Sequence, residues 1–395
     1  MPTVGMCPHG VCQVPFHPSH RTLPERLGAV ADSVPNVAHP CYAGLPGPNR
    51  GSLPVLPSLK ELRRSKTSMC NRIRSPLSTC SAFLLAGCSG PQSALDPAGP
   101  SAASIHLLGM IMYAGAAAVT LLVVVLMLAP FMRWRARRVD SRFFIWGGGV
   151  ALPALTLTAL VPYVMTFGHE TRASTGSDSL AVDITGNLYW WDISYRLDGS
   201  AVPVVSANEL RIPIGEPVEV VLATRDVIHS FWIPSLAGKL DMVPGRVTRM
   251  TFQADRPGVF RGQCAEFCGT QHALMAFDVV AMPRAAFDAW LARLSQPVPR
   301  PETSELREGM ELFLGLGCGG CHTVRGLSES PLGPDLTQIG ARRSVGAGAL
   351  PGGLDGITRW LSASEHIKPG NAMPSYEHLE EEQIRSIAGY LESLK

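Results

Sequence analysis

Cysteine, histidine and methionine residues lie close together in one stretch of this sequence. Residues 264–275 follow the pattern Cys264-x3-Cys268-x3-His272-x2-Met275, and another histidine, His229, lies upstream. Thiolate and thioether sulfurs together with imidazole nitrogens favour copper, and a weak thioether is a common tuning ligand at electron-transfer copper sites. Two thiolates this close could also bridge two metal ions, so that one electron is shared between them. The pattern predicts a dinuclear copper centre.

The same residues leave further interpretations open. An isolated Cys-x3-Cys pair outside the cytoplasm is more often a disulfide, and zinc also binds thiolates and imidazoles. A copper chaperone or thiol oxidoreductase can likewise use Cys-x3-Cys with a distant histidine. A disulfide explains neither histidine, however, and a zinc site, a chaperone or an oxidoreductase has no need for Met275. Copper is therefore the favoured metal.

A second motif, Cys318-Gly-Gly-Cys321-His322, has the Cys-x2-Cys-His spacing at which c-type haem is attached. Both sulfurs could reach the vinyl groups of the haem, and the adjacent imidazole could bind the iron. Zinc and a redox dithiol are alternatives for such a pair. No cysteine follows Cys321, and the nearest one before Cys318 is Cys268. A zinc site would need scattered histidines, so covalent haem is favoured.

Two long apolar segments precede these motifs. Residues 107–131 and 143–168 contain no charged side chain, and at ~1.5 Å rise per residue each could cross a ~30 Å hydrocarbon layer as a helix. The loop between them is rich in arginine, which favours the cytoplasmic side of the membrane. A helical hairpin with its loop inside places everything after residue 168 outside the cytoplasm.

The first part of the chain carries no structural pattern of this kind. Residues 1–68 are rich in Pro, Gly and Ser, which indicates disorder or a start codon chosen too far upstream. Met69 begins a better secretory signal, with a basic start and a modest apolar run. The run ends in Leu85-Ala-Gly-Cys88, which resembles a bacterial lipoprotein processing site. We therefore expect Cys88 to be lipidated and to become the mature N-terminus.

Strand and helix signals divide the remainder of the chain. Residues 217–222, 247–252 and 276–281 are β-branched or alternating and are separated by turn residues, which favours an antiparallel β domain. The C-terminal residues show the one-face spacing of an amphipathic helix. The sequence therefore predicts six segments. They are a disordered or mis-started segment with its signal (1–87), an extracytoplasmic N-terminal segment (88–105), a transmembrane helical hairpin (106–168), an all-β domain (169–294), a Pro-rich linker (295–302) and an all-α domain (303–395).

Taken together, these motifs resemble subunit II of cytochrome c oxidase, in the subtype with a cytochrome c domain fused to its C-terminus. The resemblance implies a cupredoxin-like Greek-key fold for the β domain and a dinuclear copper (CuA) centre. It implies these copper ligands: His229, Cys264, Glu266 through its backbone carbonyl, Cys268, His272 and Met275. The carboxylate of Glu266 could also face a magnesium ion at a subunit boundary.

The resemblance extends to the haem and to electron transfer. Cys318 and Cys321 would attach haem c, with His322 and Met373 as axial ligands. His366 and His378 are weaker candidates for the second axial position. Electrons would reach the copper through an aromatic segment that comprises Tyr189, Trp190 and Trp191. Core packing is the alternative role for two of the three.

The resemblance implies an electron-transfer subunit in a bacterial inner membrane, with both redox domains on the periplasmic side. Electrons from a soluble or membrane cytochrome c, or from a quinol-oxidising complex, would pass from haem to copper. They would then pass to catalytic subunit I, which reduces oxygen to water among the other oxidase subunits. The chain alone lacks the further haem ligands and membrane helices that oxygen chemistry needs. The electron-input subunit of a nitric oxide reductase is an alternative, and no feature indicates a nucleic-acid partner.

Overall fold

The computed structural model describes residues 89–132, 141–170, 179–197 and 203–395. Cys88, with its predicted lipidation, and most of the arginine-rich loop lie outside the described residues. The described chain forms a helical hairpin, a two-sheet β domain and a helical domain.

The helical hairpin has long apolar helices whose apolar stretches are not buried by the other described residues. Helix α1 (Pro100–Leu128) is followed by a short helix α2 (Ser141–Phe143), a π-helical segment (Phe144–Ala151) and helix α3 (Leu152–Glu170). Both candidate spans are long and apolar enough to cross a membrane, and their apolar windows are unburied within the protein. A helix that is apolar on all faces is suited to lipid. The predicted two-helix hairpin is confirmed.

The described part of the β domain contains ten strands. In chain order they are β1 (Leu180–Asn187), β2 (Trp190–Arg196), β3 (Val204–Ala207), β4 (Glu209–Pro213), β5 (Val218–Thr224), β6 (His229–Trp232), β7 (Leu240–Met242), β8 (Thr248–Phe252), β9 (Gly258–Cys264) and β10 (Ala276–Met282). One sheet has the order β3-β2-β1-β5-β8 and the other β4-β10-β9-β6-β7. Alternate side chains of each strand point into the space between the sheets. This two-sheet arrangement is the predicted cupredoxin-like fold.

Aromatic rings fill the centre of the β domain. The ring centroids of Phe231 and Phe277 are 4.9 Å apart, and Trp191 packs against Phe277 at 5.0 Å. Helix α4 (Arg284–Leu294) closes one end of this core, with Phe287 and Trp290 buried. The copper candidates therefore lie next to a rigid apolar core.

The C-terminal domain is built on helices α5 (Ser304–Gly315), α6 (Leu354–Ile367) and α7 (Glu381–Ser393). The Thr303 side chain caps α5 by accepting a hydrogen bond from the backbone N–H of Leu306 (3.3 Å). Gly309 allows α5 and α7 to cross closely, because a Cβ there would clash with the carbonyl oxygen of Ser386. The predicted all-α cytochrome c domain is confirmed, with two short strand pairs in its loops.

The β domain and the helical domain contact each other directly. The N–H of Ala276 donates to the carbonyl of Ala347 (3.0 Å), and the N–H of Arg343 donates to Glu209 Oε2 (2.8 Å). The Pro-rich segment 295–302 also binds the helical domain, since Val298 donates to the carbonyl of Arg325 (2.9 Å). This segment is therefore packed on the helical domain along part of its length.

Candidate metal centre and haem cavity

The predicted copper ligands converge at one end of the second sheet. His229 begins β6 and Cys264 ends β9, and these two strands are hydrogen-bonded neighbours. The loop after β9 carries the remaining candidates and returns to Met275, whose carbonyl accepts the N–H of Cys264 (2.9 Å). Strand pairing thus brings together donors that are far apart in the sequence.

Each candidate thiol lies beside the other thiol and beside one imidazole. The Sγ atoms of Cys264 and Cys268 are 3.7 Å apart. His229 Nδ1 lies 3.7 Å from Cys264 Sγ, and His272 Nδ1 lies 3.7 Å from Cys268 Sγ. Two sulfurs, each with its own ring nitrogen, form a paired donor set.

The remaining two donors complete the set. Met275 Sδ lies 3.9 Å from Cys268 Sγ and is fully buried, and the backbone oxygen of Glu266 lies 3.2 Å from Cys264 Sγ. Both cysteines are free thiols, since their sulfurs are much farther apart than the ~2.05 Å of a disulfide. A soft, buried thioether next to two thiols suits copper better than zinc. The residues present fit a dinuclear copper centre.

The two thiols do not ionise independently. A hydrogen bond with the Cys268 thiol, followed by one with the His229 ring, lowers the pKa of Cys264 to about 3. The pKa of Cys268 is raised, because it lies beside Cys264 and because it is buried. The pair therefore favours a single thiolate at Cys264, and a metal that binds both sulfurs must displace the proton of Cys268.

Asp226 is a functional residue that the sequence pattern did not identify. Its Oδ1 lies 2.7 Å from His229 Nε2, on the side of the ring away from the thiols. Burial lowers the pKa of His229, but hydrogen bonds to Cys264 and Asp226 outweigh it and raise the pKa overall. A carboxylate on the far nitrogen of a metal-binding histidine fixes its tautomer and orientation. The only sequence signal was its position three residues before His229.

The haem candidates surround a single cavity of about 450 Å³ in the helical domain. Cys318, Cys321, His322 and Met373 all line it. The volume lies in the ~300–1,000 Å³ range of cofactor sites, and most of the lining is apolar. The candidate residues therefore meet around a space that suits a haem.

His322 is oriented within this cavity. Its Nδ1 donates to the carbonyl of Pro334 (2.8 Å), which leaves Nε2 for a metal. Burial lowers the pKa of His322, so the ring stays neutral. Neutral imidazole is the form that binds iron.

Met373 and a buried arginine complete the cavity. The loop holds Met373 through its N–H, which donates to Asn371 Oδ1 (2.8 Å), and Trp360 Nε1 donates to Met373 Sδ (3.2 Å). Arg342 is buried in the lining, and its Nε has no hydrogen-bond partner within the described part of the chain. A buried cation with an unused donor fits an anionic group, such as a haem propionate. The cavity is therefore suited to haem c in both shape and charge.

The weaker axial candidates lie outside the cavity lining. The His366 side chain is 76% exposed and pairs with Glu377 (3.6 Å), and His378 is exposed at the surface. Neither histidine lines the cavity.

Comparison with known proteins identifies the family. The family model of the cytochrome c oxidase subunit II periplasmic domain matches residues 181–282, and that of cytochrome c matches residues 306–395. Cytochrome c oxidase subunit 2 of Alkalihalophilus pseudofirmus is 34% identical over 335 residues, which cover 81% of this chain and 96% of the relative. The chain belongs to the cytochrome c oxidase subunit II family.

Two further proteins are similar to parts of this chain. Cytochrome c oxidase subunit 2 of Bacillus subtilis is 31% identical, over 66% of this chain and 77% of the relative. The solved periplasmic domain of subunit II of Bradyrhizobium japonicum cytochrome oxidase is 28% identical, over 29% of this chain and 91% of that domain, with a TM-score of 0.27.

Membership of the subunit II family defines the setting of this chain. It is a subunit of an oxidase complex, associates with subunit I and other oxidase subunits, and is anchored in a membrane with a periplasmic domain. Its two extramembrane domains belong to families that hold copper and haem c.

The aromatic residues of this subunit II lie in two different environments. Tyr189 and Trp190 line the haem cavity, although they belong to the β domain. Trp191 is buried in the core, and its ring centroid lies 6.3 Å from the ring centroid of His229. The aromatic segment therefore lies between the haem cavity and the copper candidates.

The carboxylate of Glu266 faces away from the sulfurs. It is partly exposed and lies 3.5 Å from Lys239 Nζ. Among the described residues, the only cluster of three or more potential metal-binding side chains is His229, Cys264 and Cys268. Magnesium binding at Glu266 would thus need ligands from elsewhere and stays a prediction.

Proposed function

We propose that this subunit II accepts electrons at a haem c in the helical domain and passes them through a dinuclear CuA centre to catalytic subunit I. When bound, the two groups would supply one-electron redox chemistry, in which the haem is oxidised as the copper pair is reduced. The electrons would then be used in the catalytic subunit to reduce oxygen to water. One observation supports this proposal most strongly. The Cys264 and Cys268 sulfurs are unbonded and 3.7 Å apart, with an imidazole nitrogen beside each.

In this proposal, the chain holds the copper donors in place before and after electron transfer. The donors that would hold the two coppers are Cys264, Cys268, His229, His272, Met275 and the Glu266 carbonyl. Both thiols are buried, so water is excluded. Strand pairing holds His229 and Cys264, so these two donors should move little when the charge changes, which keeps reorganisation small.

At the haem, Cys318 and Cys321 would form the covalent attachment and His322 would bind the iron. Met373 would be the second iron ligand, and His/Met ligation raises the reduction potential of a haem. Tyr189 and Trp190, which line the cavity, and Trp191, which lies beside His229, would carry electrons towards the copper.

The remaining features of the proposal concern location and partners. We propose a bacterial inner membrane, with Cys88 lipidated, residues 1–87 removed and both redox domains periplasmic. The electron donor would be a soluble or membrane cytochrome c or a quinol-oxidising complex. Glu266 would bind magnesium at the boundary with the catalytic subunit.

The test is the metal content of the purified membrane complex. We expect two coppers and one covalent haem per chain, and an electron-spin spectrum with hyperfine structure from an electron shared by two coppers. A Cys264→Ser, Cys268→Ser double variant should lose the copper signal and retain the haem bands. A single labile Cu(I), or a Cys264–Cys268 disulfide in the matured protein, would contradict the proposal. Consumption of nitric oxide instead of oxygen would favour the nitric oxide reductase.

A further inference from the structure

Lys368 lies between the haem cavity and the β domain and is almost completely buried, at 2% exposure. It follows α6 and precedes the loop that carries Met373. Its Nζ donates to the carbonyl of Tyr189 in the β domain (2.8 Å) and to that of Gly346 in the helical domain (3.0 Å). One ammonium group therefore links the aromatic segment to the wall of the haem cavity.

The charge of Lys368 is not matched by a nearby acid. Both of its hydrogen-bond acceptors are backbone carbonyls, and no Asp or Glu pairs with it among the described residues. Lys368 also lines the haem cavity. Burial lowers the pKa of Lys368 to about 7, so the ammonium form dominates below this pH. Lys368 thus lies in the wall of the haem cavity and against the backbone of the aromatic segment.

The residue after Lys368 contacts the copper loop. The carbonyl of Pro369 accepts a hydrogen bond from Gln271 Nε2 (2.5 Å), and Gln271 directly precedes His272. Gln271 is itself buried. The loop that carries Met373 is therefore attached both to the aromatic segment and to the loop that carries the copper candidates.

A neutral side chain in this space would have a smaller desolvation penalty, because burying an ammonium group without an acidic partner is unfavourable. The position of Lys368 indicates a role that needs both its donors and its charge. We propose that Lys368 is a positioning residue for electron transfer from haem to copper: it holds the aromatic segment against the haem cavity and raises the reduction potential of both groups with one buried positive charge. This inference rests on the proposed function.

The expected effects follow from the two roles. A positive charge stabilises the reduced form of a redox group, since that form carries one more electron. Loss of the charge should therefore lower the potential of both groups. Loss of the donors leaves two buried carbonyls without their partner, so the domains should shift and electron transfer should slow.

The experiment compares Lys368→Gln and Lys368→Met in the full oxidase complex. Gln removes the charge and keeps hydrogen-bond donors, whereas Met removes both. The matched control is Arg359→Met, which removes one positive charge from an exposed position on α6. Redox titration below pH 7, where Lys368 is protonated, gives the haem and copper potentials. Rapid reduction of the haem gives the rate of transfer to copper.

We expect both Lys368 variants to lower the reduction potential of the haem by ~59 mV, which is about a tenfold change in the equilibrium constant of a one-electron couple. Lys368→Met should in addition slow transfer about tenfold or more. Arg359→Met should leave potentials and rate unchanged. The inference is wrong if both Lys368 variants, with haem and copper bound, keep the wild-type potentials and rate. Failure of the wild-type chain to bind haem or copper would instead refute the proposed function.

Discussion

The two nitrogens of His229 have different partners, and this difference determines what the residue can do. Nδ1 faces Cys264, and Nε2 faces the Asp226 carboxylate at 2.7 Å. Asp226 is in turn held by the backbone N–H groups of Leu188 and Val227, both at 2.7 Å. The imidazole therefore cannot rotate or change tautomer without breaking several hydrogen bonds.

Replacing Asp226 should weaken the copper site without removing a ligand. We expect Asp226→Asn to lower copper affinity about 10–100-fold, because an outer-shell partner tunes both the orientation and the basicity of a ligand histidine. Competition with a copper chelator measures the change. Asp288→Asn, which alters an exposed ion pair on α4, is the control and should leave affinity unchanged. Equal affinity in the two variants would contradict the role given to Asp226.

The candidate ligands could be predicted from the sequence, because two cysteines, a histidine and a methionine at close spacing are chemically unusual. Asp226 could not, since aspartates are common and its carboxylate meets His229 only through the turn before β6. Arg342 could not be predicted for a similar reason. Arg342 suits an anionic group of the haem because it is buried beside the cavity, and no local sequence pattern indicates this position.

The two sheets of the β domain approach each other closely where Gly186 lies opposite His229. Gly186 is in β1, in one sheet, and His229 begins β6, in the other. A Cβ on Gly186 would lie 2.8 Å from the Cδ2 atom of the His229 ring. The absence of a side chain at this position creates the space that the imidazole occupies.

Gly186→Ala should therefore displace a candidate ligand through the opposite sheet. We expect about 1–3 kcal/mol of destabilisation from overpacking, with weaker copper binding and an altered copper spectrum. Thermal unfolding and chelator competition measure the two effects. Gly389→Ala is the control: its Cβ meets nothing within 4 Å, and the helix should gain up to ~1 kcal/mol. An unchanged copper spectrum in Gly186→Ala would show that the ring tolerates the methyl group.

The elements themselves were predictable to different degrees. The membrane helices follow from uninterrupted apolar runs, and the strands β5, β8 and β10 from alternating or β-branched residues. The contact between the domains was not predictable. It depends on backbone carbonyls, such as those of Tyr189 and Gly346, which accept hydrogen bonds from Lys368. Because every residue has a backbone carbonyl, the sequence does not indicate which ones will form such contacts.

At the scale of the whole molecule, buried polar contacts hold the helical domain to the β domain. Glu209 is 3% exposed; its Oε1 pairs with Arg211 Nη2 at 2.7 Å, and its Oε2 accepts the N–H of Arg343. Ser344 Oγ donates to Asp278 Oδ2 (2.6 Å) in the same region. In the proposed function, the helical domain is a tethered and docked electron donor at high effective concentration, so electron delivery to the copper would not wait for diffusion.

Removal of residues 296–395 tests this arrangement. The cut keeps helix α4, whose Phe287 and Trp290 belong to the β-domain core, and all the copper candidates lie before it. We expect the copper spectrum to survive, while oxygen turnover with a protein donor at micromolar concentration falls about 10-fold or more. Turnover with a small reductant that reaches the copper directly is the control and should change little, because the route from copper onwards is intact. Undiminished turnover with the protein donor would mean that electrons reach the copper without the haem, and that the helical domain lies outside the main path.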